Sequence, residues 1–341
     1  SNRGSLVEIL ISLPVKNTEG FLRALKEEAP PRSRIMDMET ETVELSEALK
    51  GFSIIESTPE KGPIFVSPDI GICDACKEEL FNPKNRRYLH PFINCTDCGP
   101  RLTVMKGMPY DRERTCMHDF PMCSACESEY TNPSSRRYDA QPVCCNDCGP
   151  QVYIVGTDIK GGEAIAAARE ALCEGKIIAV KGIGGFHLCC DATNEAVVDK
   201  LRRLKLRPAK PLAVMAKNLE TAKRECVVTK AEERLLVGWE KPVVLMKKRC
   251  GGKAAPSVAP DNPFLGAMLP YAPLQLLLFS YPDGRPVSDL LVMTSANKSG
   301  MPICRSDEDV CRDLPGLCDL VLSHDREILL RVDDSVVTVF N

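Results

Sequence analysis

The sequence predicts an α/β (α+β) chain in which two small cysteine-rich modules precede a domain built on a twisted, mixed sheet. Two observations carry this. Between residues 64 and 158 one pattern of cysteines, prolines and arginines is written twice, every shared position offset by 50. From residue 159 to 341 short β-branched runs alternate with amphipathic helical stretches, the pattern of helices laid on a sheet. An internal repeat decides the architecture of its region before anything else is read.

At 341 residues the chain has room for two or three domains. Lys+Arg 44 against Asp+Glu 47 leaves a net charge of −3, so no global field gathers nucleic acid or an anionic membrane. No apolar run approaches the roughly 20 residues of a membrane-spanning helix, and no signal peptide opens the chain. With 18 cysteines a secreted chain would call for disulfides, but the spacing points instead to a cytoplasmic protein that holds metal.

The repeats run from "ICDACKEELFNPKNRRYLHPFINCTDCGP" to "MCSACESEYTNPSSRRYDAQPVCCNDCGP". Each holds two Cys-x-x-Cys pairs with 18 residues between them: Cys73, Cys76, Cys95 and Cys98 in the first, Cys123, Cys126, Cys145 and Cys148 in the second. That spacing suits two knuckles closing on one tetrahedral Zn²⁺, and Gly99 and Gly149 stand where a knuckle turns. Four thiolates leave no open coordination position, so both zinc ions are expected to be structural. From Cys73 to Pro150 ten Lys/Arg face eleven Asp/Glu; eight thiolates and two Zn²⁺ bring the balance to about −5, a poor phosphate binder. Arg86-Arg87 and Arg136-Arg137 are therefore expected to brace the repeats. Cys116, Cys144, His90 and His118 lie outside the repeated register.

In the α/β region "GGEAIAAAREALCEG" reads as a helix ended by Gly175 and followed by the strand "KIIAV". "PLAVMA", "PVVLMKK", "LLVMTSAN", "DLVLSHD" and "SVVTVF" read as further strands, with "EAVVDKLRRLK", "TKAEERLLVG" and "YAPLQLLLF" as helices between them. Ligands in such domains collect in loops beyond strand ends. Three stretches stand there. "KGIGGFH" offers Lys181, the backbone of Gly182, Gly184 and Gly185 as an anion-facing turn, and His187. It is neither a dinucleotide fingerprint nor a Walker A loop. "KLRRLKLRPAKP" groups Lys200, Arg202, Arg203, Lys205, Arg207 and Lys210 without an acid. Its prolines stop the helix after Leu206 and stiffen the turn that carries Arg207 and Lys210; the alternative is a solvated basic face. "TSANKSG" is a strand end rich in hydroxyls and amides, suited to a phosphate, a sugar or simple Asx turns.

Together, Lys-x-Arg-x-x-Lys-Pro-Leu at Lys205–Leu212 and Ser-Ala-Asn-x-Ser-Gly at Ser295–Gly300 resemble the YrdC family, whose members make acyl-type adenylates from ATP. With the duplicated cysteine modules, "RRYLHPFINCTDCGPR", "MPYDR", "AVKGIGGFHLCCDA", "RPAKPLAVM" and "RVDDSVV" resemble the HypF family of hydrogenase-maturation carbamoyltransferases over nearly the whole chain. In residues 1–60, "SNRGSLVEILI", "TEGFLRALKEEAPPRSRI" and "GFSIIES" resemble the later strands and second helix of an acylphosphatase-like, ferredoxin-like α+β domain, with Asn2 near its catalytic asparagine. The first strand, phosphate loop and loop arginine of such a domain are missing. The chain is expected not to complete an acylphosphatase site, and to be a piece of a longer protein.

The resemblance implies a route in which carbamoyl phosphate yields carbamate, the YrdC-like domain at 159–341 joins carbamate to ATP with loss of pyrophosphate, and the carbamoyl group passes to the C-terminal cysteine of the partner HypE. It implies ATP with Mg²⁺ as cosubstrate. Lys205, Arg207 and Lys210 are then expected at the phosphates or the carbamate, Ser295, Asn297 and Ser299 at the nucleotide, Lys181 and Gly182–Gly185 shaping the pocket, and His187 near the carbamate. Arg326 and Arg331 are outside candidates, and Asp333 and Asp334 are read as structural. Threonylcarbamoyl-AMP synthesis uses the same kind of domain, but the zinc repeats and "GGFHL" weigh against it. An RNA-binding module is opposed by the charge balance.

Overall fold

The computed structural model describes residues 67–340 except Ser299, and before them residues 2–3, 6–12, 14–29, 33, 35–44, 49 and 51. The chain divides into two compact units, Ser1–Val66 and Ser67–Asn341. In the first, strands β1 (Asn2–Arg3) and β2 (Leu6–Val7) pair antiparallel, and helix α1 spans Val15–Glu27. Phe21, Leu22, Ala24 and Leu25 line its half-buried face at helical spacing. The strand expected at "GFSIIES" lies outside the described residues beyond Gly51, as does the side chain of Asn2.

The second unit opens with the two finger modules, each carrying one short helix, α2 (Asp74–Phe81) and α3 (Ser124–Thr131). Within each module the four cysteine sulfurs lie within 4.8 Å of one another. Cys73 and Cys95 are 3.7 Å apart, Cys95 and Cys98 3.8 Å, Cys126 and Cys148 3.6 Å. Zn–S bonds of about 2.3 Å in a tetrahedron give edges of about 3.8 Å, whereas a disulfide needs about 2.05 Å. All eight are free cysteines. Both groups fit a structural zinc ion.

The paired arginines cross from one repeat to the other. Arg86 donates to Cys126 Sγ at 2.9 Å and pairs with Glu129 at 3.2 Å; its counterpart Arg136 donates to Cys76 Sγ at 3.7 Å and pairs with Glu79 at 2.8 Å. Arg87 and Arg137, both buried, pair with Glu129 and Glu79, and their Nε groups donate to Cys144 O at 2.8 Å and Asn94 O at 3.0 Å. Burial works to raise the Glu129 carboxyl, but Arg87 and Arg86 hold it at about 2. The bracing expected of these arginines is thus reciprocal, each module completing the other's surroundings.

After the fingers the chain runs β3 (Val152–Ile154), α4 (Gly161–Cys173), β4 (Ile178–Lys181), β5 (Phe186–Asp191), α5 (Glu195–Leu204), β6 (Val214–Ala216), α6 (Leu219–Glu225), α7 (Lys230–Val237), β7 (Val243–Lys247), β8 (Phe264–Met268), α8 (Pro273–Phe279), β9 (Leu290–Ser295), α9 (Asp307–Asp313), β10 (Leu320–His324) and β11 (Val336–Val337). The strands form one mixed sheet in the order β11-β7-β8-β6-β9-β5-β4-β10-β3. α4 stops where Gly175, at φ +72°, supports bonds from Gly175 N–H to Leu172 O and Lys176 N–H to Ala171 O, a Schellman ending. The central strands are apolar on both faces, so their sequences read as continuous hydrophobic runs. One face (Val180, Cys189, Met293) shares a core with α4, α8 and the first finger's Leu80, Phe92 and Ile93; the other (Ala179, Leu188, Val292) packs on α5 and α7. β3, inside the 64–158 stretch, is the sheet's edge strand against β10. Finger and sheet are therefore one folding unit.

This arrangement predicts two zinc ions per chain by elemental analysis of reduced protein. Chelation should unfold the 70–155 region, since structural zinc binding is folding free energy. One zinc or none would contradict it. Arg87→Ala should cost about 2–4 kcal/mol in chemical denaturation, somewhat under a fully buried pair because Glu129 keeps 30% exposure; a loss within the range of surface pairs would show the brace to be dispensable.

Candidate active site

β5 runs antiparallel to both β4 and β9, while β10 is parallel to β4. The amino end of β5 therefore shares one sheet edge with the carboxyl ends of β4, β9 and β10. Lys181, His187, Ser295 and His324 all stand on that edge. The turn after α5 comes to the same place. α5 is capped by Asn194, whose side chain accepts from the Ala196 and Val197 N–H groups, and it ends at Leu204, two residues earlier than its prolines imply, because Leu206 takes φ +50°.

The basic stretch is not a solvated face. Arg202 is buried; its guanidinium donates to Arg207 O at 2.7 Å, Lys210 O at 3.1 Å and Val258 O at 3.0 Å, and so holds the 207–210 turn from behind. Arg203, paired with Asp199, and Lys200, paired with Asp319, are exposed members. Lys205 is buried and reaches Ser295 O at 2.5 Å, Asn297 O at 3.2 Å and Asn297 Oδ1 at 3.1 Å. Its three N–H donors go to the 295–297 segment, so it clamps that segment rather than presenting itself freely to a phosphate. Burial first, then the Arg207 guanidinium, push the Lys205 ammonium down to about 8. Arg207 donates to Thr294 Oγ1 at 3.2 Å, and Lys210 is exposed at the mouth of the turn. Ser295 Oγ donates to Asn297 Oδ1 at 2.9 Å and Asn297 Nδ2 to Met301 O at 2.6 Å. Ser299 lies outside the described residues.

The glycine turn differs from the expected anion cradle. Gly182 N–H donates to Gly185 O at 2.8 Å, closing a hairpin between β4 and β5. A Cβ on Gly184 would stand 2.3 Å from Val332 O, and one on Gly185 2.7 Å from the Ile303 side chain. These glycines are required by close packing of neighbouring chain. His187, expected in the loop, is the second residue of β5 and meets Asp334 Oδ2 at 2.9 Å. Burial would raise the Asp334 carboxyl, but His187 keeps it below its usual value. Lys181 Nζ donates to His324 O at 2.8 Å, and burial lowers its pKa. Arg331 is tied to Ile303 O and Asp309. Asp333 is exposed. Arg326 is buried 5.0 Å over the Phe92 ring.

Sequence reasoning therefore found the two segments that meet, 205–210 and 294–297, but not the tie between Asp334 and His187 or the place of His324. No local spacing signals those, because each acts through a partner far along the chain. No helix among the described residues is long and apolar enough to cross a membrane.

A family model described as "Telomere recombination" (Sua5, YciO and YrdC) matches residues 170–341, and one described as "HypF finger" matches 72–105 and 122–155. The chain is 46% identical over 329 residues to the carbamoyltransferase HypF2 of Cupriavidus necator, covering 92% of this chain and 41% of that protein. It is 45% identical over 338 residues to the carbamoyltransferase HypF of a Synechocystis species, covering 97% and 43%. A threonylcarbamoyl-AMP synthase of Shigella dysenteriae is 34% identical over 161 residues, 44% of this chain and 78% of the synthase. Among solved structures, a full-length HypF in a phosphate- and nucleotide-bound form superposes with a TM-score of 0.88 at 45% identity, over 95% of this chain and 42% of that one. The chain thus spans about two-fifths of the length of the HypF relatives it matches. It belongs to the HypF family, and its residues 170–341 form a domain of the Sua5–YciO–YrdC family.

Proposed function

We propose that this chain carries the adenylation step of a carbamoyltransferase in nickel–iron hydrogenase maturation: carbamate and ATP give carbamoyl-AMP and pyrophosphate. The observation that carries the reading is the convergence of the 205–210 turn on the 294–297 segment, fastened by Lys205 and Arg207. In the step a carbamate oxygen forms a bond to the α-phosphorus while the bond to pyrophosphate breaks. Negative charge grows on the phosphoryl oxygens and the leaving group, and fixed cations offset it. Arg207 and Lys210 face the phosphates, Lys205 holds the Ser295–Asn297 segment against the nucleotide, and Mg²⁺ arrives bound to ATP as part of the substrate. The carbamate derives from carbamoyl phosphate, and the carbamoyl group passes on to the C-terminal cysteine of HypE.

Threonylcarbamoyl-AMP synthesis is the competing reading, favoured by the synthase relative. That relative covers only 44% of the chain, and the finger pair, whose first member packs into the sheet's own core, belongs to the HypF pattern. ATP–pyrophosphate exchange separates the two by whether it needs carbamate or needs threonine with bicarbonate.

In that exchange assay with ammonium carbamate, Arg207→Ala and Lys210→Ala should each lower the rate about 30- to 1000-fold, the cost of about 2–4 kcal/mol of transition-state stabilisation. Arg203→Ala, at 73% side-chain exposure, should change it less than about fivefold. Equal small effects at all three positions would remove the turn from the site.

The Lys205 ammonium predicts a pH dependence. Its proton is lost as pH rises through about 8, so kcat/KM for ATP, which reports the free enzyme, should fall along an alkaline limb near that value. Lys205→Arg keeps its charge throughout, and any activity it retains should be flat across the limb. An unchanged limb in the arginine variant would assign the titration to another group.

A further inference from the structure

The two cysteine sites carry the same ligands at the same spacing, but the fold buries them differently. In the first, Cys76, Cys95 and Cys98 are buried and belong to the core shared with the sheet, and Cys73 packs against that core. In the second, Cys126 and Cys145 are buried, Cys123 and Cys148 are partly exposed, and only Cys148 packs against the same core. Helix α2 buries Leu80 beside its ligand Cys76, whereas α3 buries its ligand Cys126 alone. In each site the four sulfurs lie within 4.8 Å of one another, so any two of them share an edge of the tetrahedron around the ion. The first site shows solvent one corner, Cys73. The second shows a whole edge, Cys123 to Cys148.

The knuckles differ as well. Gly99 N–H donates to Ile70 O at 2.9 Å and Ile70 N–H to Gly99 O at 3.1 Å, which stitches the first knuckle to the chain ahead of it. Arg101, buried, covers the same knuckle, donating to Thr96 O at 2.7 Å, Pro100 O at 2.9 Å and Cys98 O at 3.3 Å. Fifty residues on, Gly149 N–H turns back on Cys145 O at 2.8 Å, and the counterpart of Arg101 is the exposed Gln151. Arg112 braces the second finger at Gln141 O and Val143 O, ahead of its knuckle and not over it. The arginine contacts run the other way, Arg86 lying 2.9 Å from Cys126 Sγ and Arg136 3.7 Å from Cys76 Sγ. Those contacts offset the charge held at each site. Access sets how fast a held ion leaves, because zinc passes to an incoming ligand through a fifth bond that needs an open approach, and a weakly buried segment opens more often. We propose that the second finger is a metal-exchange site, which gives up its zinc to soft nitrogen- or sulfur-bearing chelators while the first finger keeps its own. The ion leaves with its charge unchanged and the four thiolates take up protons, so no electron moves. Nothing in this depends on the adenylation reading.

The probe is 4-(2-pyridylazo)resorcinol, added in excess to the reduced, zinc-loaded full chain without denaturant, with the coloured zinc complex followed in time. One zinc per chain should leave in a fast phase and the other at least about tenfold more slowly. A pulse of N-ethylmaleimide at the end of the fast phase, read by peptide mass spectrometry, identifies the finger that has opened. Cys123, Cys126, Cys145 and Cys148 should carry the label, and Cys73, Cys76, Cys95 and Cys98 should not. The exposed Cys173, Cys250 and Cys311 label with or without chelator and calibrate the pulse. Arg101→Gln gives the first knuckle the surface of the second and should speed the slow phase at least about threefold, with the fast phase unchanged. Release and labelling are read on the unaltered chain, so the test survives if that variant fails to fold. The proposal is overturned if both zinc ions leave in one phase, if neither leaves, if the label falls on the first finger or equally on both, or if a folded Arg101→Gln releases zinc at the wild-type rates.

Discussion

Everything in the second unit rests on the exchange of arginines between the two fingers. A zinc ion held by four thiolates carries a net charge near −2, and here Cys76, Cys95, Cys98 and Cys126 are buried. Such charge is tolerable in a half-buried module only when donors surround it. Each repeat supplies backbone N–H donors to its own sulfurs, but neither supplies its own arginine. Arg136 serves Cys76 and Arg86 serves Cys126, while Glu79 and Glu129 hold those arginines in place. One repeat alone would leave its thiolates without a charged donor and its arginine pair without a carboxylate, so each repeat depends on the other. The paired module then behaves as a stiff plate whose Leu80, Phe92 and Ile93 enter the sheet's core. Metal, fingers and sheet edge are mechanically continuous.

The site owes its layout to one strand direction. Because β5 is antiparallel to its neighbours, a hairpin closed by Gly182 and Gly185 brings His187 back beside Ser295, and the crossing segment 331–334 lands on it, with Val332 against Gly184 and Asp334 against His187. A side chain on Gly184 would expel that segment. The turn after α5 is fixed from two sides, by Arg202 beneath its carbonyls and by Lys205 through the 295–297 segment. Arg207 is thereby held with a single hydrogen bond, to Thr294, so most of its donors stay open to an anionic ligand.

What was legible in the sequence followed from local rules. The Cys-x-x-Cys spacing, the helix ended by Gly175 and the apolar runs at 214–216, 243–247 and 290–295 each depend on neighbours a few residues away. β5 was hidden because "FHLCCD" begins inside a glycine-rich turn and its cysteines serve as small apolar residues rather than ligands. β8 (Phe264–Met268) was hidden by its central glycine, which faces Val243 and Leu245 across the strand pair. Arg202 looked like one more charge on a basic helix. Only the fold shows that its partners are carbonyls at 207, 210 and 258, and partners that distant leave no spacing to read.

The electrostatics of the sheet edge close the argument. Lys181, Lys205, Arg207 and Arg326 gather there, and burial works against the charge of each. Among the described residues none forms an ion pair within 4.0 Å; Asp307, Asp325 and Glu308 act on Lys181 and Asp333 on Lys205 from farther off, while Asp334 is engaged by His187. Such an arrangement costs stability in the empty protein, because buried cations are expensive until something offsets them. A neutral or cationic ligand would leave that cost in place. An anionic ligand would offset it, and the Arg207 guanidinium, with one hydrogen bond to Thr294, has donors left to meet one.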